Sequence, residues 1–223
     1  VRKPGMKRED LFDENRTIIE EVAGNLKSFG GVIIVVTEPV DFLTTLFLRA
    51  SGLPAERVIG LGGFLDSTRL RYLIAKELGV STDIVTALVV GRHSDQMIPL
   101  ADYTKISGIP VSTFIENHRL DEIFEETRRA GGLIVEMAER ASAYYGPSAV
   151  ASDLAEAIVR DTRHIVSVSL LLTGQYGVEN VTMSLPAVIG RAGIEKVLEP
   201  RLNDEQLEIF IESAKTIESV LSK

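Results

Sequence analysis

The chain has 223 residues, of which 45% are hydrophobic and 25% charged, a composition typical of a soluble globular protein with one sizeable core or two packed subdomains. It contains no cysteine, which excludes disulfides, thiolate metal sites and cysteine nucleophiles, and no other metal site is predicted. The net charge of −8 and the lack of a Lys/Arg run argue against a nucleic-acid partner. No apolar run approaches the length of a membrane span, so no membrane partner is predicted and a cytoplasmic location fits.

The first ten residues form a predicted loop that is rich in cations for an acidic chain. The cations are Arg2, Lys3, Lys7 and Arg8. Such a cluster favours an anion-facing lid, and the alternative is a frayed terminus whose charges are solvated. The chain opens with Val1 rather than Met and runs at once into this charged loop, so we expect that the natural protein does not begin here.

The following part of the chain alternates helix and strand. Apolar residues recur at helical spacing over Glu9–Phe29. Val32–Val36 is a continuous β-branched run without polar alternation, which predicts a strand buried on both faces of a parallel sheet. The segment T-E-P-V-D at 37–41 leaves the carboxyl end of this strand, where open α/β sheets bind their ligands. A helix over Phe42–Arg49 and a short strand over Val58–Leu61 complete this predicted unit.

Three residues of the next stretch carry the chemistry that we single out. Asp66 and Arg69 lie three apart at the start of a helical pattern, so they share a face. The apolar run Ile84–Val90 predicts a buried strand that delivers His93 to a site. A carboxylate can hold an imidazole in one tautomer and favour its protonated form, while a guanidinium can bind a substrate carboxylate through two parallel hydrogen bonds. This combination suits proton transfer on a small organic acid. The alternative is a surface ion pair beside an unrelated histidine.

The remainder of the chain predicts longer elements. They are a strand at Leu100–Ile106, a helix from Leu120 to about Ala143, a helix to about Asp161 with Pro147 in its first turn, strands at Ile165–Thr173 and Val178–Ile189 joined by G-Q-Y-G-V-E-N, and a last helix to Leu221 capped by Asn203 or Asp204. The predicted fold class is therefore α/β, with part of a doubly wound parallel sheet followed by an α+β domain packed against it.

Five short motifs occur together along the chain. They are R-K-P-G-M-K-R-E-D-L at 2–11, V-V-T-E-P-V-D at 35–41, L-D-S-T-R at 65–69, G-R-H-S-D at 91–95 and G-Q-Y-G at 174–177. In order and approximate spacing this set resembles the NAD-dependent lactate/malate dehydrogenase family, and most of all the malate dehydrogenases of its lactate-dehydrogenase-like branch. The resemblance implies that residues 1–63 are the C-terminal part of an NAD-binding Rossmann domain, including the substrate lid loop. It implies that residues 64–223 are a substrate-binding, catalytic domain.

The resemblance also implies a reaction, reversible hydride transfer between a nicotinamide and a 2-hydroxy acid, with site residues for it. His93 would exchange the proton, and Asp66 would orient and stabilise its imidazolium. The implied substrate-binding residues are Arg69 for the shared carboxylate, Arg8 for the carbonyl, Arg2 for the variable end of the substrate, and Glu38. The implied cofactor-binding residues are Val36, Glu38 and Pro147. The implied cofactor is NAD, with NADP not excluded, and an arginine at position 2 goes with a second substrate carboxylate, as in malate.

The chain departs from the family pattern in three places. Arg92 and Ser94 replace an acid and a glycine beside the histidine, and Glu38 replaces an asparagine whose amide contacts substrate and cofactor. No G-x-G-x-x-G follows any strand, so the first βαβ unit of the nucleotide domain, with its phosphate-binding turn, is missing. The resemblance thus implies malate–oxaloacetate activity for a chain that lacks its N-terminal half-domain, and we expect the chain to be inactive alone.

Two alternatives stay open. One is a lactate dehydrogenase or other 2-hydroxy-acid dehydrogenase of the same family, for which Arg2 is the discriminator. The other is a non-catalytic truncated homologue, in which Glu38 and the missing nucleotide half have ended turnover. The family implies a dicarboxylate substrate in the tricarboxylic acid cycle and a homodimer or homotetramer. His118 and His164 match no family motif and are predicted to be surface or structural residues.

Overall fold

A computed structural model of the protein describes residues 11–138 and 144–222. Over these residues the helices are α1 Phe12–Asn25, α2 Val40–Ser51, α3 Gly62–Leu78, α4 Asn117–Ala138, α5 Tyr145–Arg160 and α6 Asp204–Leu221. The strands are β1 Ile33–Val35, β2 Val58–Gly60, β3 Val85–Thr86, β4 Val89–Val90, β5 Ile98–Pro99, β6 Lys105–Ile106, β7 Ile109–Pro110, β8 His164–Thr173, β9 Glu179–Gly190 and β10 Gly193–Val197. In these two ranges no helix has both the length and the apolar character needed to cross a membrane.

The largest sheet has five strands in the order β1-β2-β8-β9-β10. β1 and β2 are parallel, with Ile33 opposite Val58 and Val35 opposite Gly60. β8 joins β2 in antiparallel orientation where Ser169 faces Gly60, and β9 and β10 continue antiparallel. The predicted parallel pair and the predicted hairpin are both present. They belong to one mixed sheet, which brings the carboxyl end of β1 close to the hairpin.

Two hydrophobic clusters hold the site in place. The larger one packs α2 against the five-stranded sheet, and every residue from Val40 to Leu48 is buried, as expected for a helix enclosed by a core. The second cluster includes Leu70 and Ile74 of α3 and Ile123 of α4. α3 contributes to both clusters, because Leu65 at its start belongs to the first. The helix that carries the predicted acid is therefore fixed from two sides.

The start of α3 lies directly on the hairpin. A Cβ atom added to Gly63 would lie 2.4 Å from Ser167 Oγ and 2.7 Å from Ser184 Cβ, so only glycine fits this approach. The Gly63 N–H donates a hydrogen bond to Ser184 Oγ at 2.8 Å. Asp66 follows within the next turn of the helix, and its distance from the strands is set by this contact.

The predicted strand Ile84–Val90 is wrong as a single element. A 3₁₀ turn ends at Ile84, β3 then pairs with β6, and β4 pairs with β5. The reason is that side chains capture the backbone of Val89, whose N–H binds Ser67 Oγ at 3.0 Å and whose carbonyl binds Ser167 Oγ at 2.6 Å. Apolar composition alone does not report such side-chain partners.

Other differences are local. The predicted strand Leu100–Ile106 is wrong over most of its length, because Ala101–Tyr103 forms a 3₁₀ turn, and β10 was not predicted. α6 begins as predicted, with Asn203 rather than Asp204 as its cap and with a capping box to Gln206. The predicted end of the helix that corresponds to α4 lies partly outside the described residues.

Candidate active site

His93 lies in a short loop that the hairpin holds in place. The loop follows β4 through Gly91, whose φ of 86° is in the left-handed region that favours glycine. Gly91 and Ser184 of β9 exchange two backbone hydrogen bonds of 2.9 Å each. The His93 side chain that follows is only 3% exposed. The loop thus presents the imidazole from a fixed backbone into the interior.

Asp66 binds one nitrogen of this imidazole. Its Oδ2 lies 2.5 Å from His93 Nδ1, and the Asp66 side chain is 1% exposed. Because an ionised carboxylate only accepts hydrogen bonds, this contact places a proton on Nδ1 and directs Nε2 toward the opposite side. The arrangement orients the ring and stabilises the imidazolium form.

Arg69 shares the same carboxylate. Its Nη1 lies 3.3 Å from Asp66 Oδ1, three residues away on the helix as the spacing predicts, and its side chain is 13% exposed. A guanidinium carries five N–H donors, so it can bind Asp66 and also present a fork to a carboxylate ligand.

Glu38 lies at the other nitrogen of His93. Its Oε1 is 3.0 Å from His93 Nε2, while its Oε2 accepts the Val40 N–H at 3.2 Å. The Glu38 carbonyl accepts a hydrogen bond from Asn15 Nδ2 of α1 at 2.6 Å, and the Glu38–Pro39 peptide is cis. The imidazole is therefore flanked by a buried acid and by one that is 32% exposed, and both favour its protonated form.

Asp41 binds the backbone of the same histidine. Its Oδ2 accepts the His93 N–H at 2.6 Å, and its Oδ1 accepts the Ser169 hydroxyl of β8 at 2.6 Å. Burial raises the pKa of Asp41 to about 6, against the lowering effect of these two hydrogen bonds and of the His93 charge, and the Glu38 charge raises it further. Asp41 was not predicted as a site residue. Its signal was its place in T-E-P-V-D, at the carboxyl end of β1.

The two departures beside the histidine are partners of each other. Arg92 Nε donates to Ser94 Oγ at 3.1 Å, and Arg92 Nη2 donates to Gln96 Oε1 at 2.8 Å. The guanidinium also lies 5.9 Å from the ring centroid of Phe42. The side chains of Arg92 and Ser94 therefore brace the loop together, and the substitution of an acid by Arg92 is accommodated within the core.

Residues 64–223 match the alpha/beta C-terminal domain of lactate/malate dehydrogenase, and residues 1–60 match its NAD binding domain. The chain belongs to the lactate/malate dehydrogenase family. It is 42% identical over 223 residues to the malate dehydrogenase of Roseiflexus castenholzii, covering 99% of this chain and 72% of that relative. It is 41% identical over 225 residues to the malate dehydrogenase of Methanosarcina mazei, covering 100% of this chain and 73% of that relative.

Solved structures of the family have the same fold. The malate dehydrogenase of Cryptosporidium parvum gives a TM-score of 0.96 at 38% identity, over 99% of this chain and 73% of that one. The lactate dehydrogenase of the same organism, in complex with lactic acid and β-nicotinamide adenine dinucleotide, gives a TM-score of 0.94 at 32% identity, over 99% of this chain and 72% of that one. The predicted fold class and the predicted family are confirmed.

Two residues predicted to bind the cofactor lie near the ends of their elements. Val36 follows β1 and keeps 43% of its surface exposed, which leaves an apolar contact at the carboxyl edge of the parallel pair. Pro147 is in the first turn of α5, next to Gly146, at which a Cβ atom would lie 3.5 Å from Leu65 Cδ1 of α3. The role of both residues in cofactor binding stays a prediction.

The remaining predictions concern two arginines of the lid and two histidines outside the site. Arg2 and Arg8, with the whole lid, lie outside the described residues. His118 is exposed, with Glu116 at 3.6 Å, and His164 is exposed at the start of β8, which agrees with their prediction as surface residues. The structure brings together Asp66, Arg69, Glu38 and His93, and it adds Asp41.

Proposed function

We propose that the protein is an NAD-dependent malate dehydrogenase, which interconverts (S)-malate and oxaloacetate. The observation that carries the proposal is the His93 imidazole, held by Asp66 at Nδ1 with Nε2 directed away toward the Glu38 side. The names of the relatives, malate dehydrogenases at about 40% identity, support the same reaction.

The chain's own residues would handle the proton and the substrate charges. In oxaloacetate reduction His93 donates its Nε2 proton to the keto oxygen, and in malate oxidation it removes the hydroxyl proton. Asp66 keeps the imidazolium oriented through Nδ1 in both directions. Arg69 binds the substrate carboxylate next to the reacting carbon. Val36, Glu38 and Pro147 would border NAD, which would supply the hydride chemistry when bound.

The lid arginines complete the proposed substrate site. Arg8 would polarise the carbonyl and stabilise developing negative charge once water is excluded. Arg2 would bind the second carboxylate of oxaloacetate, which pyruvate lacks. Because hydrogen bonds to charged groups contribute roughly 1.5–3 kcal/mol and about 1.4 kcal/mol corresponds to a factor of ten, the preference for oxaloacetate should be at least about tenfold.

The test compares kcat/KM for oxaloacetate and pyruvate in the protein as its gene encodes it. Arg2→Gln should shrink or reverse the preference, mainly by losing activity on oxaloacetate. Lys3→Gln removes a neighbouring cation that the family pattern does not assign, and it should leave the ratio of the two kcat/KM values unchanged. Equal ratios in the parent and in Arg2→Gln would remove Arg2 from the site and reopen the choice between a malate and a lactate dehydrogenase.

A second candidate is a non-catalytic homologue. The contact of 3.0 Å between Glu38 Oε1 and His93 Nε2 favours it, because this carboxylate meets the nitrogen that the reaction needs. NADH fluorescence titrated against the protein separates the two candidates. Saturable binding followed by oxidation of NADH on adding oxaloacetate supports the enzyme, and the lack of both supports the non-catalytic homologue.

We also propose a homodimer or homotetramer in the cytoplasm, acting in the tricarboxylic acid cycle. Support for self-association comes from three exposed apolar side chains, Tyr72 of α3, Val159 of α5 and Ile165 of β8. Ile165 also lines a cavity of about 800 Å³. Support for the location comes from the bacterial and archaeal relatives.

A further inference from the structure

Asp41 connects three elements around His93. It lies in the first turn of α2 and is 1% exposed. Its carboxylate accepts the His93 N–H from the loop and the Ser169 hydroxyl from β8, each at 2.6 Å. Its own carbonyl accepts the hydroxyls of Thr45 and Thr182 at 2.9 and 2.6 Å. The carboxylate and the carbonyl of Asp41 therefore both bind the hairpin, and the carboxylate also binds the His93 backbone.

Other contacts of the histidine loop act on the residues beside His93. The paired hydrogen bonds between Gly91 and Ser184 lie two residues before His93, and the Arg92–Ser94 contact braces side chains on either side of it. Gly91 itself has the backbone freedom of a glycine at positive φ. The Asp41 carboxylate acts on His93 itself, because it accepts the His93 backbone N–H.

The Asp41 carboxylate is buried, which costs free energy. Burial without full compensation is unfavourable, which the raised pKa of Asp41 reflects, and an asparagine could occupy the space at lower cost. A carboxylate, however, can accept from two donors at once with short charge-assisted bonds, and here the two donors belong to the histidine loop and to the sheet.

We propose that Asp41 is a positioning residue, which fixes the His93 backbone against β8 so that the imidazole meets Asp66 at Nδ1 and presents Nε2 to the substrate. The inference rests on the proposed function, because it assigns a task within the same proton transfer. Misplacement of a reacting group by about 1 Å can cost about a hundredfold in rate, so loss of the anchor should lower kcat by about ten- to a hundredfold.

The experiment compares Asp41→Ala with Asp41→Asn, which retains an acceptor for the His93 N–H. Thr127→Ala is the control, since it deletes a buried hydroxyl that donates to the Ile123 carbonyl within α4. One readout is kcat for oxaloacetate reduction at saturating substrate. The other is the NMR signal of the His93 Nδ1–H proton, identified by its loss in His93→Gln, which reports the contact with Asp66 without any turnover.

We expect Asp41→Ala to lower kcat by at least tenfold and to shift or broaden the Nδ1–H signal, and Asp41→Asn to restore most of both. Thr127→Ala should lower the midpoint of unfolding and leave both kcat and the Nδ1–H signal unchanged. If Asp41→Ala does not fold, Ser169→Ala serves in its place. It should lower kcat by a smaller factor and shift the Nδ1–H signal less, in the same direction.

An unchanged signal and an unchanged kcat in Asp41→Ala, or in its Ser169→Ala substitute, would overturn the proposal. The proposal would also be overturned if Asp41→Asn lost as much kcat as Asp41→Ala while its Nδ1–H signal stayed unchanged. The charge of Asp41, and not its hold on the His93 backbone, would then support the reaction. A wild-type protein without activity on oxaloacetate would refute the proposed function instead, and the NMR comparison would still decide the anchor.

Discussion

At the scale of single residues, the two acids at His93 differ in their exposure to solvent. The Asp66 side chain is 1% exposed and is also bound by Arg69, whereas the Glu38 side chain is 32% exposed. A fixed acid at Nδ1 suits orientation of the ring. A more exposed acid at Nε2 lies where the substrate must meet the proton, and it can turn away only at the expense of its contact with the imidazole.

Glu38→Gln should therefore raise kcat/KM for oxaloacetate. The substrate is itself an anion, and two unit charges about 4 Å apart repel each other by roughly 1 kcal/mol in water and by more where water is partly excluded. Removal of one charge should thus increase kcat/KM by about fivefold or more, mainly by lowering KM. The measurement is steady-state kinetics at a fixed pH, the same for wild type and variant.

Glu38→Asp is the matched control, because it keeps the charge and shortens the side chain by one methylene. It should give no such increase in kcat/KM. An unchanged or lower kcat/KM in Glu38→Gln would mean that the enzyme uses this carboxylate, and that the loss of the family's asparagine is compensated in the site.

At the scale of elements, Asp41 makes the junction of α2, the histidine loop and β8 sensitive to pH. Its pKa is about 6 in the folded protein and 3.8 as an ordinary aspartate. A group whose pKa is raised by folding adds stability below its unfolded pKa, and this stability is lost as the pH rises through the folded value. The difference of about two pH units corresponds to about 3 kcal/mol in the free energy of unfolding.

Asp41→Asn removes this titration. The free energy of unfolding of the variant, relative to wild type, should therefore rise between about pH 4 and pH 7 by up to about 3 kcal/mol. Urea unfolding at a series of pH values measures it, with Thr127→Ala as a control that should show no such slope. A difference between Asp41→Asn and wild type that is constant with pH would mean that Asp41 does not change its ionisation in this range.

The long elements were predictable because their apolar residues extend over many positions of the sequence. The helix α2 and the hairpin β8–β9 each carry a long run of apolar residues that turn residues end. The two-residue strands β3 to β7 carry no period, and their positions depend on side chains from elsewhere, as Val89 depends on Ser67 and Ser167. Such contacts depend on the packing of the hairpin against α3.

At the scale of the whole molecule, the motifs predicted which residues meet but not all of their contacts. Asp66 and His93 are 27 positions apart and were predicted as partners, and they meet at 2.5 Å. The contact of Glu38 with Nε2 was not predicted, because no family motif contains a glutamate there. Asp41 was missed because its role depends on Ser169, which is 128 positions away. The proposed division at residues 63 and 64 stays a prediction.

His93 is proposed to exchange the proton of the malate–oxaloacetate reaction, and one substitution tests this role most directly. His93→Ala, compared with His164→Ala as an exposed control, is measured by kcat for oxaloacetate reduction in the protein as its gene encodes it. Loss of a general acid typically costs about 10²-fold or more, so kcat should fall by at least that factor in His93→Ala and stay unchanged in His164→Ala, with folding intact in both. A folded His93→Ala protein that keeps the wild-type kcat would contradict the account.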